Sequence, residues 1–554
     1  MLFWKIVPLL LAVLVAGLTV TETDGAITVD VGGDDGFVVT IDSTGSISSL
    51  QYQDTEYQYS GTLSHIASGL GSNASVSYTT QGDYAIVSAT IDDDDFNLTH
   101  YYVFQDGRSA IYMGTNSLSQ PALGELRYIA RLVNLPEAYK EGEVSDVRDG
   151  EVIEGSDVFL VDGETRSKFY SSQRFIDDSV YCAYSTDSSV HACFLSDTRS
   201  REKSSGGPFF RDIDLNLVSD YQSVTFYMNS GHVQTEEFRT GFFGPYILSF
   251  SGSSIPSWSD FDVSFFDSLE LDGYVGSSGR GVVTGTVSGT SSSLPAIVHF
   301  YNADYQSWAN TSDGSFTSPE LVAGSYTLAL YQDELLAATT TLSVTAASTS
   351  TASISAANPI ITADRTTIFQ IGTYDGTPSG LRNAENQLRM HPSDARMDDW
   401  NPTPFIVDTN SDSDFPMALF KDVNNNFEIQ FTLDEVPDTD TDTITIRIAT
   451  TLSFAGGRPQ ITLNDDECAA PEAPNKIDSR GVTRGAYRGY GELYTCEFEV
   501  GSLVSGQNSV YIGVVSGSSG DEFLSPNFVS LNLSFFSCLL VVCLKLRLIC
   551  LRAP

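Results

Sequence analysis

Positive charge is what this chain of 554 residues lacks most: 29 Lys and Arg stand against 71 Asp and Glu, a formal net charge of -42 at pH 7. That balance excludes a nucleic-acid partner, because phosphate binding needs Lys and Arg to displace counterions. It also excludes an anionic ligand spread over the whole surface; such a ligand needs a local basic site. Long helical periods are missing too, which excludes helical bundles and coiled coils. No zinc-ligand spacing, serine-hydrolase elbow or phosphate-binding loop occurs. The one early apolar run, "IVPLLLAVLVAGL" after Lys5, is too short to span a bilayer comfortably. With the small residues Val15-Ala16-Gly17 behind it, it reads as a signal peptide cleaved between about residues 17 and 25. A secreted, extracellular protein with no stable membrane association follows.

What is present is β-rich. Short alternating runs such as "AITVDV", "DYAIVSATI", "SYTLALYQ" and "TITIRIAT" are separated by Gly, Asn, Asp and Ser. Alternation with a period of two marks half-buried strands, and regular turn signals mark sandwiches. The predicted fold class is all-β. Three regions follow the signal: a large one over about 25–272, a compact sandwich of about seven strands over about 273–359, and a third over about 360–529. The second region ends in "TAASTSTASISAANP", a polar edge strand or a linker. The last stretch, 530–554, is apolar but broken by Lys545, Arg547 and Arg552. It suits neither a bilayer span nor a removed lipid-anchor signal. We expect it to be an aberrant tail from a gene-model error, standing in for a final strand.

Export permits disulfides. Cys182 and Cys193 suit a hairpin staple, and Cys468 and Cys496 form the other expected pair. Sequons at Asn73, Asn97 and Asn310 fit glycosylation. The acidic runs "IDDDDFN" and "DTDTDT" are solvated loops or structural calcium sites.

The scarce cations are concentrated. Arg127, Arg131, Lys140, Arg148, Arg166, Lys168, Arg174, Arg199, Arg201, Lys203 and Arg211 hold roughly a third of all Lys and Arg in roughly a sixth of the chain. The enrichment makes either a basic cleft or a set of ion pairs on an acidic surface. In "ETRSKFYSSQRFIDD", a strand would put Glu164, Arg166, Lys168 and Tyr170 on one face. In "TFYMNSGHVQTE", strict alternation separates Tyr227 from His232 unless Ser230-Gly231 forms a bulge. Phe169, Tyr170 and Phe175 read as core. Arg382, Arg389, Arg484 and Arg488 read as partners of buried carboxylates or loop caps.

These two stretches, with "EKSSGGPF", "GELRYIARL", "NQLRMHPSDARM", "TTLSFAGGRPQ", "DSRGVTRGAYRG" and "SGSSGDEFLSPNF", resemble the fungal rhamnogalacturonan lyases of polysaccharide lyase family 4. The likeness covers nearly the whole mature chain up to Asn527-Phe528. It implies a large catalytic β-sandwich, a fibronectin type III-like domain and a jelly roll like a carbohydrate-binding module. It implies an endolyase that cleaves rhamnose-α-1,4-galacturonic acid bonds of the rhamnogalacturonan I backbone of pectin by β-elimination, leaving an unsaturated uronate. By the same resemblance Lys168 and His232 match the catalytic pair, Lys168 as base and His232 assisting the leaving oxygen, or the reverse. Arg127 matches a substrate-binding arginine and Tyr227 an active-site tyrosine. A base lysine must be neutral, and Arg166 is the expected neighbour that lowers its pKa. Lys, His and Arg supply every function without a metal, so no cofactor is expected for catalysis. The expected state is a monomer. The chain departs from the family at Phe210, often His, and at Thr225, often aromatic; loss of that aromatic face predicts weaker sugar stacking. The alternatives are a glycoside hydrolase using two carboxylates and a non-catalytic pectin-binding protein.

Overall fold

The computed structural model describes residues 17–538, apart from 94–96, 120–124, 139–146, 178, 219, 233–235, 253, 357–364, 387–390, 437–442, 475–480, 486–490 and 517–521. The apolar N-terminal run but for its last residues, Lys140, Arg389, Arg488, residues 94–96 of the first acidic run and 438–442 of the second lie outside the described residues. The fold is all-β. The single α-helix among the described residues is one turn, Gly481–Arg484.

Strand formation follows the alternation. In Ala26–Asp30, Ile27 and Val29 are buried and their neighbours are not. This strand pairs with Thr19–Thr23, so the first sheet begins before residue 25, earlier than the sequence suggested. Three larger sheets share one core. A five-stranded meander covers 19–56, an eight-stranded antiparallel sheet runs from Glu137–Ala138 to Ser75–Gln81, and a four-stranded sheet has the order Leu215–Val218, Tyr221–Ser230, Glu125–Leu132, His65–Ile66. Val39, Tyr102, Met113, Tyr128, Phe194, Phe226 and Tyr246 meet inside it. A small three-stranded sheet, Glu151–Glu154, Val158–Val161 and Glu164–Ser167, lies apart from that core. Cys182 and Cys193 occupy directly paired positions on neighbouring strands and are disulfide-bonded, as are Cys468 and Cys496.

The second domain has two four-stranded sheets, one strand more than the sequence suggested. The extra strand is the polar segment Thr349–Ser355, which pairs in parallel with Arg280–Ser288 and is therefore an edge strand. Cations join this domain to the first. Arg280 is buried and grips Glu202 through two nitrogens at 2.7 and 2.8 Å. Arg174 reaches Asp333 and Glu334, Arg211 reaches Glu334, and Lys203 lies 3.8 Å over the Tyr305 ring.

The third domain is two five-stranded sheets around Phe369, Trp400, Phe427, Ile446, Val510 and Phe528. Here the reading of 530–554 is corrected in part. Asn527–Cys538 is one long strand that pairs with Arg365–Ile371 on one side and with Thr443–Phe454 on the other. Leu533 and Phe535 are buried in the core. The closing strand is thus present and runs to Cys538; the charges that made the tail look foreign all come later, at residues outside the described chain. Phe535→Ala removes a wholly buried ring stacked 5.2 Å from Phe369. It should cost the third domain about 3–5 kcal/mol, read as an earlier denaturant transition; an unchanged transition would place the strand elsewhere.

Candidate active site

The outer face of the four-stranded sheet carries the site. In Glu125–Leu132 the side chains of Leu126, Tyr128, Ala130 and Leu132 enter the core. Glu125, Arg127, Ile129 and Arg131 therefore take the opposite face. On the neighbouring strand Val224, Phe226 and Met228 point inward, leaving Thr225 and Tyr227 on the same outer face as Arg127. The register shifts between Leu126 and Arg127, where Met228 is the extra residue on the partner strand. The bulge is thus at Met228 rather than at Ser230-Gly231. The strand ends at Ser230, whose Oγ accepts the backbone N–H of His232 at 3.2 Å. That bulge and turn bring the His232 ring to 6.1 Å from the Tyr227 ring, edge to face.

Two carboxylates organise the cations. His232 Nδ1 lies 3.0 and 3.1 Å from the two oxygens of Asp212, and Nε2 lies 3.0 Å from Glu125 Oε1. The other Glu125 oxygen is 2.6 Å from Arg127 Nη1, which also donates to the Tyr227 hydroxyl at 2.9 Å. Asp212 is 2% exposed, so its charge acts on His232 through little water. The negative charge of Asp212, outweighing the cost of burial, pushes the His232 pKa up to about 10. Both ring nitrogens then carry protons and donate to the carboxylates. Burial opposes the charge of Arg127, but Tyr227 and Glu125 overcome it and raise its pKa.

Lys168 behaves in the opposite way. It opens a 3-10 turn, Lys168–Ser171, and does not continue the strand Glu164–Ser167; the same-face expectation for 164–170 stops at Arg166. Ser167 caps the turn by accepting the backbone N–H of Phe169 at 3.2 Å. The Lys168 ammonium lies 3.8 Å from Asp157 and 5.8 Å from the Phe159 ring centre. Burial lowers its pKa against the pull of Asp157, and Arg127 and Arg484 lower it further. Arg166 is therefore not the charge responsible; it sits 3.9 Å from Glu164. Phe169, the next residue, places its ring 5.4 Å from that of His232, and with Ile213 and Tyr227 forms a small buried cluster. Tyr227 and His232 thus meet one apolar pin, Phe169, whose neighbour in the chain is Lys168.

Most of the concentrated cations do other work. Arg174, Lys203 and Arg211 join domains, as described. Arg199 donates to the Tyr274 hydroxyl at 2.6 Å, and Arg201 donates to the Tyr227 carbonyl at 2.6 Å while packing on Phe175 and Phe226. Arg131 donates to the Leu63 carbonyl at 2.7 Å, and Arg148 lines a separate cavity of about 290 Å³ with Leu217 and Tyr221. Arg127 and Lys168 are themselves paired, with Glu125 and Asp157, so ion pairing and packing account for most of these cations. Thr225 is buried, on the same outer face as Tyr227. Phe210 is buried against Phe175. Phe169 and Tyr170 are core, whereas Phe175 is half-buried. Arg382 faces Asp398 and Asp414, and Arg484 faces Glu154 and Asp157. Asn73 and Asn310 are exposed, and Asn97 donates to Asp92 at 2.6 Å. Among the described residues no group of three or more His, Cys, Asp or Glu side chains is placed to hold a metal ion.

Glu125, Asp157 and Asp212 were missed in the sequence. Glu125 had a signal: it precedes Arg127 by two residues, which a strand turns into a shared face. Asp212 and Asp157 had none, because their partners are distant in the chain. The charged form of His232 has a folded pKa above its ordinary 6.5. Its contribution to stability should be fully present below about pH 6.5 and lost as the pH rises through about 10. Thermal unfolding of Asp212→Asn against the parent should therefore show a deficit near pH 6 that closes above pH 10. A deficit independent of pH would contradict the pairing.

Comparison with known proteins matches the chain piecewise and in order. Residues 18–273 match "Rhamnogalacturonan lyase B, N-terminal", 279–352 match "Polysaccharide lyase family 4, domain II", and 367–533 match "Polysaccharide lyase family 4, domain III". The chain is 52% identical to "Probable rhamnogalacturonate lyase A" of Aspergillus flavus over 93% of its length and 95% of the relative. It is 51% identical to "Rhamnogalacturonate lyase A" of Emericella nidulans over the same shares. With the protein of that name from Aspergillus aculeatus the identity is 49%, again over 93% and 95%. The chain belongs to polysaccharide lyase family 4 and is a polysaccharide lyase, built from that family's catalytic, fibronectin type III-like and carbohydrate-binding-module-like domains.

Proposed function

We propose that this protein is a secreted endolyase that cleaves rhamnose-α-1,4-galacturonic acid bonds in rhamnogalacturonan I by β-elimination. The observation that carries the reading is the opposed tuning of two basic side chains: Lys168 is pushed toward its neutral form while His232 is held as a cation. β-Elimination needs that pair. A neutral amine at Lys168 takes the C5 proton of the galacturonate, and the C5–H electron pair develops as an enolate on the carboxylate. The C4–O4 bond then breaks, and O4 leaves with a proton from the His232 imidazolium. The Arg127 guanidinium stands against the galacturonate carboxylate and stabilises the doubly negative enolate, the role electrostatic preorganisation plays best. Glu125 holds Arg127 and His232 at fixed separation until the substrate carboxylate competes for them. Buried Tyr227 orients Arg127 from its hydroxyl. Export is supported by the N-terminal signal, the two disulfides and the exposed sequons.

Lys168→Ala should lower turnover on rhamnogalacturonan I at least about 100-fold without changing the thermal transition of the first domain. The product to follow is the ultraviolet absorbance of the unsaturated uronate, with homogalacturonan as the comparison. Reducing ends formed without that absorbance would indicate hydrolysis instead. For the parent, kcat/KM should rise with pH as Lys168 loses its proton and fall above about pH 10 as His232 loses its own. Undiminished turnover in the alanine variant removes Lys168 from the mechanism.

A further inference from the structure

Arg484 belongs to the third domain, yet its side chain is buried against the first. Its Nε donates to Glu154 Oε1 at 2.7 Å, and its Nη1 is bonded to Asp157 Oδ2. The other Asp157 oxygen is the one that faces the Lys168 ammonium, and the Asp157 carbonyl accepts the Lys168 backbone N–H at 3.0 Å. The Arg484 carbonyl in turn accepts a hydrogen bond at 2.8 Å from the Ser167 hydroxyl, the group that caps the turn bearing Lys168. One residue of the third domain therefore holds both the carboxylate beside Lys168 and the residue before it.

The geometry matters because of charge. A carboxylate beside a lysine stabilises the ammonium, which is the wrong form for a base. A guanidinium bonded to that carboxylate divides its attraction and adds a like charge of its own. The charged groups that face Lys168 among the described residues are Asp157, Arg127 and Arg484, with the Phe159 ring completing its surroundings. Two arginines thus oppose one aspartate, and one of the two comes from a domain whose family resemblance is to sugar-binding modules.

We propose that Arg484 is a positioning residue for the elimination: by holding Asp157 and Ser167 it sets the place of Lys168 and keeps its amine easy to deprotonate. The third domain is then part of the catalytic centre and not a separable appendage. The inference rests on the reading of Lys168 as base. Around the same contact, Thr165 donates to Asp394 at 2.8 Å and Arg396 reaches Glu164 at 2.5 Å. The two domains are therefore already fixed to each other beside Arg484, which favours folded variants.

The test uses the full chain and the pH profile of kcat/KM. Arg484→Ala should move the limb assigned to Lys168 alkaline by about one unit, which lowers kcat/KM below that limb about tenfold. Arg484→Lys should restore most of it. Asp157→Asn should move the limb the other way, and the double variant Arg484→Ala/Asp157→Asn should return at least to the parental limb. If Arg484→Ala does not fold, Arg484→Gln carries the test: it keeps a donor toward Asp157 and Glu154 but removes the charge, so the limb should still move alkaline. A limb that stays at its parental position in folded Arg484→Ala or Arg484→Gln, with only the melting temperature reduced, makes Arg484 a structural bolt and overturns the inference. Lys168→Ala separates the two failures: an inactive variant beside an unmoved limb sinks this proposal alone, whereas an active one sinks the base assignment and this proposal with it.

Discussion

A buried carboxylate must be met by a cation, and from that constraint the site follows. Asp212 is almost wholly removed from solvent and has the His232 ring as its partner. Glu125 takes the other ring nitrogen and passes the contact on to Arg127, which ends on the Tyr227 hydroxyl. Five polar groups are thereby linked, with Phe169 packed against the His232 ring. Lys168 lies beside this chain under the opposite balance. Among the described residues its anionic neighbour is Asp157, which is shared with an arginine, so burial prevails and the ammonium is disfavoured. Loss of water opposes both charges: it is outweighed at His232, where two carboxylates face the ring, and it prevails at Lys168.

The acidity of the chain gives these few contacts their weight. With anions in such excess, a cation left on the surface meets weak and screened attraction worth at most about 1 kcal/mol. The cations that matter are instead buried against named partners: Arg280 on Glu202, Arg211 on Glu334, Arg484 on Glu154. Removing one partner of such a pair leaves an uncompensated buried charge, typically about 3–5 kcal/mol of destabilisation. Domain joining and catalysis therefore draw on the same small stock of Lys and Arg.

Much of this was legible in the sequence, and the reasons for the rest are physical. Period-two alternation exposes the strands directly, and in the structure it turns Arg127 away from the core that Leu126 and Tyr128 enter. It failed at Lys168 because the chain leaves the strand at Ser167 for a capped turn, a change that one hydroxyl decides. It located the wrong bulge because the extra residue, Met228, fills the core on one side while the partner strand sets the register on the other. Residues 530–538 were misread because an apolar strand and an apolar artefact share a composition; only the pairing on both sides distinguishes them, and 539–554 lie outside the described residues. Arg484 was correctly expected to meet buried carboxylates, but the partners lie some three hundred residues away and no local pattern names them.

The central claim is that the fold lowers the proton affinity of Lys168 and raises that of His232. Titrating both in one sample, by nitrogen and carbon NMR of labelled lysine and histidine assigned through single substitutions, tests it most directly. The account predicts an imidazolium at His232 that persists to about pH 10 and a Lys168 amine that loses its proton below the ordinary 10.5. A neutral His232 at pH 7.5 beside a Lys168 that titrates at or above its ordinary value would contradict it.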